Sequence, residues 1–217
     1  HVKRYEIQPL NAEQIQQFLT AARGHRLEAL FVLALATGMR RGELLALKWR
    51  DINFATGTLQ VRRILTHMPV KLNGKGGYVE AEPKTEKSRR SIALASFALE
   101  KLKQHRVIQL EEKLKAGPAW TDRDLVFSST VGGHLHTSRI LFAQFKKLLK
   151  EAGLPDIRFH DLRHSSATML LSLGVHPKVV QEILGHSQIS MTMDIYSHVL
   201  PTMQQEAMRK LNDALGG

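Results

Sequence analysis

Cysteine is absent from all 217 residues. Disulfides and thiolate metal sites are therefore excluded, and a reducing cytosol suits the chain. Long apolar runs are lacking too. The longest, Leu30 to Thr37, is far shorter than the roughly 20 residues that span a bilayer, so no membrane partner is expected. The first residues, His-Val-Lys-Arg-Tyr-Glu, carry neither a signal-peptide apolar core nor an initiator Met, which predicts a piece of a longer protein. Acidic charge is scarce: 20 Asp+Glu against 31 Lys+Arg leave a formal net charge of +11. A chain this basic is expected to meet a polyanion, with nucleic acid first among the candidates. An apolar fraction of 43% still supports a packed core. Tyrosine is sparse, at Tyr5, Tyr78 and Tyr196 only.

What is present reads mainly as helix. Asn11 followed by Gln14 predicts a capping box, with Ile15, Phe18, Leu19 and Ala22 at helical spacing behind it. Leu27 to Ala36 is apolar all round and predicts a buried helix that Gly38 ends. A third helix is expected from Arg40 to Trp49, which puts Arg40 at a helix N-terminus that favours an anion. Strands are predicted over Thr58–Ile64, Val79–Glu82 and Ser91–Leu94, with turns between, and over Leu125–Phe127. Helices follow over Ala95–Ala116, Ser138–Glu151, 161–173, 177–184 and 190–198, and an amphipathic tail, Met203 to Leu215, trails from Pro201. The fold class expected is mainly α with one small antiparallel β-sheet, α+β.

Several chemistries lack their motifs. No Gly-x-x-x-x-Gly-Lys-Ser/Thr occurs, so the Gly- and Lys-rich loop at 68–77 is no P-loop; it is a plain hairpin tip or a DNA-touching loop through Lys71 and Lys75. No Gly-x-Ser-x-Gly, His-Glu-x-x-His or carboxylate cluster is found, and neither a metal nor another cofactor is expected. The remaining candidates are individually ordinary. His160 and Arg163 are three apart and share a helix face, as many surface pairs do. Arg40 could be solvated, and Arg41 competes for its role; Lys84 has the same competitor in Lys87. His186 follows a helix-stopping Gly and could be a mere cap. Tyr196 needs cationic neighbours before its phenol, with a free pKa near 10, becomes a nucleophile.

In chain order, however, the pieces form one pattern. Thr-Gly-x-Arg-x-x-Glu with Leu-x-Leu-x-Trp covers 37–49. Pro-Lys-Thr ahead of Ser-x-Arg covers 83–90, and His-x-x-Arg-His covers 160–164. Leu-Gly-His-Ser, then Thr, then Tyr-x-His covers 184–198. The chain resembles the catalytic domain of tyrosine recombinases, the phage integrase family, over essentially its whole length. The resemblance implies that Arg40 and Arg163 clamp a phosphate and that Lys84, in a β-hairpin, is the general acid. It likewise implies that His186 contacts the same group, that His160 accepts the phenol proton or holds the phosphate, that Tyr196 is the nucleophile and that Glu43 supports the site. Lys71, Lys75, Thr85, Lys87 and Arg139 are candidate DNA contacts.

The activity so implied is site-specific DNA cleavage and rejoining through a 3′-phosphotyrosine, without metal or ATP, in the integration or excision of a mobile element. The partners implied are double-stranded DNA, a homotetramer on two DNA sites (a monomer or weak oligomer without DNA) and an accessory bending or excision factor. The expected place of action is the cytoplasm, on the nucleoid of a bacterium or phage host. Residues 201–217 are expected to dock on a neighbouring protomer or on their own domain. A type IB topoisomerase, a catalytically silent DNA-binding module and a metal-dependent nuclease are the competing readings.

Overall fold

A computed structural model describes residues 8–68, 77–82 and 89–215. Lys71, Lys75, Lys84, Thr85 and Lys87, and the side chain of Arg139, lie outside the described residues. Helix α1 (Ala12–Ala21) starts at Asn11 through the expected reciprocal cap: Asn11 Oδ1 accepts from the Gln14 N–H at 2.8 Å, and Gln14 Oε1 accepts from the Asn11 N–H at 3.0 Å. Helix α2 (Glu28–Thr37) is buried on nearly every side, as its all-round apolarity requires. It stops at Gly38, where φ is +59° and a Cβ would stand 2.3 Å from Leu184 Cδ2. Phe18, Phe31, Phe145 and Phe159 join α1 and α2 to helix α5 (Ala143–Glu151), with ring centroids 5.3–5.5 Å apart across the Phe18–Phe31, Phe18–Phe145 and Phe145–Phe159 pairs. Each such edge-to-face pair adds about 0.5–1.5 kcal/mol to the burial itself.

Among the described residues the strands form two sheets rather than one. Strands β1 (Ile52–Asn53), β2 (Thr58–Val61) and β5 (Arg90–Ala93) pair antiparallel in the order β1-β2-β5, with Leu59 opposite both Ile52 and Ile92. Strands β3 (Ile64–Met68) and β4 (Gly77–Ala81) pair only with each other. The run expected from Thr58 to Ile64 breaks at Arg62–Arg63 because Arg63 turns inward to the buried Asp51 carboxylate, 2.6 Å away. Lys84, expected in a hairpin, falls in the stretch of sequence between β4 and β5, outside the described residues.

Leu125–Phe127 is not a strand; only single bridges form, at Leu125 and Ser128. Helix α4 (Ser96–Ala116) supplies the missing partners from its buried polar side. Gln109 Nε2 donates to the Leu125 carbonyl at 3.0 Å, and His105 Nε2 donates to the Val126 carbonyl at 2.7 Å. Side chains thus satisfy the carbonyls that a ladder would have used.

Helix α5 is entered through a π-helical stretch, Thr137–Phe142. Helices α6 (Asp161–Ser172) and α7 (Pro177–Leu184) carry a second apolar cluster of Ala167, Leu171, Val180 and Leu184. Helix α8 (Ser190–Leu215) packs Ile195, Tyr196 and Val199 onto that cluster. The tail is not a separate segment: α8 runs on through Pro201, although the ring leaves the Ser197 carbonyl without its helical donor. Beyond Met203 the described side chains are exposed, with Met208, Leu211 and Leu215 recurring at helical spacing. No helix among the described residues is long and apolar enough to cross a membrane.

Candidate functional site

The third helix, α3 (Arg41–Leu45), is one short turn, and Arg40 is its N-cap residue. The terminus expected to favour an anion is already filled by the chain's own carboxylate. Glu43 Oε2 accepts the Arg40 backbone N–H at 2.9 Å, and Glu43 Oε1 accepts Arg40 Nη1 at 2.9 Å. Arg40 Nη2 donates to the Gly185 carbonyl at 3.0 Å, and its side chain is still 37% exposed. Glu43 is buried and also receives Arg90, whose Nη1 and Nη2 lie 3.2 and 2.9 Å from Oε1 and Oε2. Burial alone would raise the Glu43 pKa, but the hydrogen bonds and charge of Arg90, then those of Arg40, hold it below the ordinary carboxylate value.

Arg163, on α6, is buried deeper than Arg40, at 5% exposure. Its Nη1 donates to two carbonyls, Gly38 at 2.6 Å and Leu184 at 2.8 Å, so the ends of α2 and α7 fix the guanidinium from behind. Its Nη2 is also buried and has no hydrogen-bond partner among the described residues. Burial, then the charge of Arg40, pushes the Arg163 pKa down to about 9, which still leaves it cationic at neutral pH. An unmade bond on a buried cation costs about 1–3 kcal/mol or more.

His186 follows the αL residue Gly185, whose φ is +67°. Its ring is buried, and Nδ1 lies 2.8 Å from Thr192 Oγ1 on α8. Burial, then Arg163 and Arg40, pushes its pKa down to about 4, so the ring is neutral at pH 7. A depressed folded pKa makes the unfolded chain the better proton acceptor. Stability from this group is therefore complete above about pH 6.5 and is lost as pH falls towards about 4. His186→Asn, which keeps a polar partner for Thr192, is expected to flatten the stability profile across that window by up to roughly 3 kcal/mol. Urea midpoints at pH 4.5, 5.5 and 7 check this, and parallel profiles for both proteins would contradict it.

His160 sits at the exposed start of α6, its ring 5.4 Å from that of His164 in edge-to-face contact. Desolvation, then His164 and Arg163, lowers its pKa. It shares with Arg40 the lining of a cleft of about 610 Å³ floored by Phe142, Phe145 and Phe159 and edged by Arg41 and Arg158. The Arg41 guanidinium lies over the Phe142 ring, 5.1 Å from the centroid. Tyr196 is half-buried on the cluster containing Leu184, the residue whose carbonyl Arg163 holds. Among the described residues its hydroxyl makes no hydrogen bond.

Arg40, Glu43, Arg163 and His186 thus converge on one junction, with His160 at its rim and Tyr196 on the adjoining helix. Two participants had been given no role from the sequence. Arg90 ties β5 to Glu43, and Thr192 orients His186. Both lie inside the quoted motifs, as the Arg of Ser-x-Arg and the Thr after Leu-Gly-His-Ser, but nothing local reveals what they touch. Chemically, the arrangement gathers two cations and a neutral imidazole, groups that suit a small anion.

The chain is similar to known proteins over nearly all of its length. Residues 8–203 match the model of the phage integrase family. A "Tyrosine recombinase XerC-like" protein of Caldanaerobacter subterraneus subsp. tengcongensis is 42% identical over 96% of this chain and 54% of its own length. The ICEBs1 integrase of Bacillus subtilis is 28% identical over 94% of this chain and 54% of its own. The chain spans about half the length of these curated relatives. Among solved structures, the Tn1549 transposon integrase in complex with circular intermediate DNA superposes with TM-score 0.76 at 25% identity, covering 96% of this chain and 68% of that one. XerA recombinase gives 0.69 at 25% identity, covering 98% and 65%. With the family model matched from residue 8 to residue 203 around a junction of Arg40, Glu43, Arg163 and His186, the chain belongs to the phage integrase family, the tyrosine recombinases.

Proposed function

We propose that this chain is the catalytic domain of a longer DNA recombinase that breaks and rejoins double-stranded DNA through a 3′-phosphotyrosine, integrating or excising a mobile element. The observation that carries the reading is the vacant Nη2 of Arg163, held from behind by Gly38 and Leu184, beside Arg40 and the neutral His186. A scissile phosphate would take that donor. The DNA-bound Tn1549 transposon integrase and the integrase and recombinase relatives support the same substrate class.

In this mechanism Tyr196 Oη attacks phosphorus in line. The P–O(Tyr196) bond forms as the bond to the 5′ oxygen breaks. The phenol proton leaves to a base, for which His160 is the candidate, and Lys84 protonates the departing 5′ oxygen. Arg40 and Arg163 neutralise charge that builds on the nonbridging oxygens, a geometry that suits forked guanidinium donors. His186 adds a hydrogen bond there, and Glu43 steadies Arg40. One phosphodiester replaces another of similar energy, so no ATP is required, and a second DNA's 5′-hydroxyl reverses the step. Four such exchanges call for a homotetramer on two sites, assembled from monomers or weak oligomers when DNA binds. The action is placed on a bacterial or phage-host nucleoid in the cytoplasm, with an accessory bending or excision factor.

The test is a covalent-adduct assay with the full-length protein, EDTA and supercoiled DNA carrying the sequences that flank its gene. Denaturant-resistant adducts are expected without metal, and binding should weaken steeply with salt through counterion release. Adducts that require a divalent ion would overturn the mechanism.

The exposed Met208, Leu211 and Leu215 stripe is proposed to seat on a neighbouring protomer. Deleting 203–217 is expected to impair assembly and cleavage on DNA; unchanged assembly and cleavage would sink the docking in trans.

A further inference from the structure

We propose that Arg90 is a positioning residue for the phosphate clamp: by saturating Glu43 it keeps the Arg40 guanidinium turned to the cleft, and by holding the end of α7 it sets where His186 stands. The proposal rests on the reading of Arg40 and Arg163 as that clamp.

A carboxylate offers about four acceptor positions, and four donor contacts reach Glu43 among the described residues. Two come from Arg40, through its backbone N–H and Nη1, and two from Arg90, through Nη1 and Nη2. Arg90 is itself inside, with its side chain 7% exposed against 1% for Glu43. Its Nε donates to the Ile183 carbonyl at 2.6 Å. Its guanidinium lies so close under Gly185 that a Cβ there would meet Arg90 Nη1 at 2.9 Å and Cζ at 3.0 Å. One side chain from β5 therefore touches both halves of the site, the α3 start that carries Arg40 and the α7 end that leads to His186.

Removing Arg90 opens two acceptor positions on a buried carboxylate. The fork of Arg40 fits a carboxylate bidentately, so it is expected to swing fully onto Glu43 and release the Gly185 carbonyl. The donor meant for the phosphate then leaves its place. Displacement of a clamp by about 1 Å costs on the order of 10²-fold in rate.

The experiment compares single-turnover cleavage of two nicked duplexes carrying the gene-flanking sequence, with the scissile position mapped from the covalent adduct. One holds the natural phosphodiester there and the other a methylphosphonate, in which a methyl replaces a nonbridging oxygen. The bonds made and broken are the same, but the negative charge that the arginines neutralise is reduced. Arg90→Gln is expected to slow phosphodiester cleavage about 10–100-fold. Its deficit on the methylphosphonate should shrink to about threefold or less, since a displaced clamp no longer matters there. DNA affinity should stay within about threefold, because phosphate contacts elsewhere dominate it.

Equal slowing on both substrates would mean that Arg90 only supports the fold, and no slowing would mean that it positions nothing; either overturns the proposal. Arg40→Ala runs alongside. Its deficit must also shrink on the methylphosphonate, and if it does not, the clamp reading falls and this inference with it. Should Arg90→Gln lack a cooperative melting transition, Arg90→Lys replaces it. Lysine keeps the charge but not the fork, so a smaller deficit with the same shrinkage is expected, and equal slowing on both substrates again overturns the proposal.

Discussion

Tyr196→Phe is expected to abolish the covalent protein–DNA adduct while leaving fold and DNA affinity in place. The separation follows from how the side chain is held. Its ring packs on the cluster of Ala167, Leu171, Val180 and Leu184, a contact that phenylalanine keeps. Its hydroxyl makes no hydrogen bond among the described residues, so removing it orphans no described partner there. Stability should change by no more than about 0.5 kcal/mol. The chemistry has no such reserve, since without the oxygen no phosphotyrosine forms. Loss of the nucleophile in a covalent catalyst costs on the order of 10⁴–10⁶ in rate. Tyr78→Phe is the control: its ring lies beside His134 and His136. Adducts that persist in Tyr196→Phe, or vanish in Tyr78→Phe, would reassign the nucleophile.

Arg163→Met is expected to lower cleavage by about 10²–10³ without lowering the melting temperature. The two effects part because the guanidinium is costly to hold. Burial, then Arg40, pushes its pKa down to about 9. Keeping it charged in the fold at neutral pH therefore costs roughly 4–5 kcal/mol. Against this stand the bonds from Nη1 to the Gly38 and Leu184 carbonyls, each contributing about 1.5–3 kcal/mol as a hydrogen bond from a charged donor. The terms nearly cancel, and methionine fills much of the vacated volume. What is lost is a cation placed before the phosphate arrives, stability having been traded for a preorganised charge. Bound DNA should accordingly raise the melting temperature of the wild-type protein more than that of the variant. A melting temperature several degrees lower without DNA, or cleavage within tenfold of wild type, would contradict the account.

Some of this was readable because it is local. The Asn11–Gln14 cap, the all-round apolarity of α2 and the glycine stops at Gly38 and Gly185 depend on residues a few positions apart, where propensity and backbone sterics act directly. The motifs also named Arg40, Glu43, Arg163, His186 and Tyr196 in order, and by themselves they determined the family. They did not determine where a strand breaks, or what a side chain touches across the fold. Arg62–Arg63 divides the sheets because of Asp51, and Leu125–Phe127 is no strand because Gln109 and His105 reach its carbonyls. Helix α8 passes through Pro201, a residue that local rules read as a stop. Another of these contacts joins Arg90 to Glu43, 47 positions earlier in the chain. Only tertiary packing decided that Arg90 would fill the carboxylate and that carbonyls would hold Nη1 of Arg163 while Nη2 stayed vacant. The reason is physical: a buried polar group takes its partner from whatever the fold brings within about 3 Å, and separation along the chain carries no record of that distance.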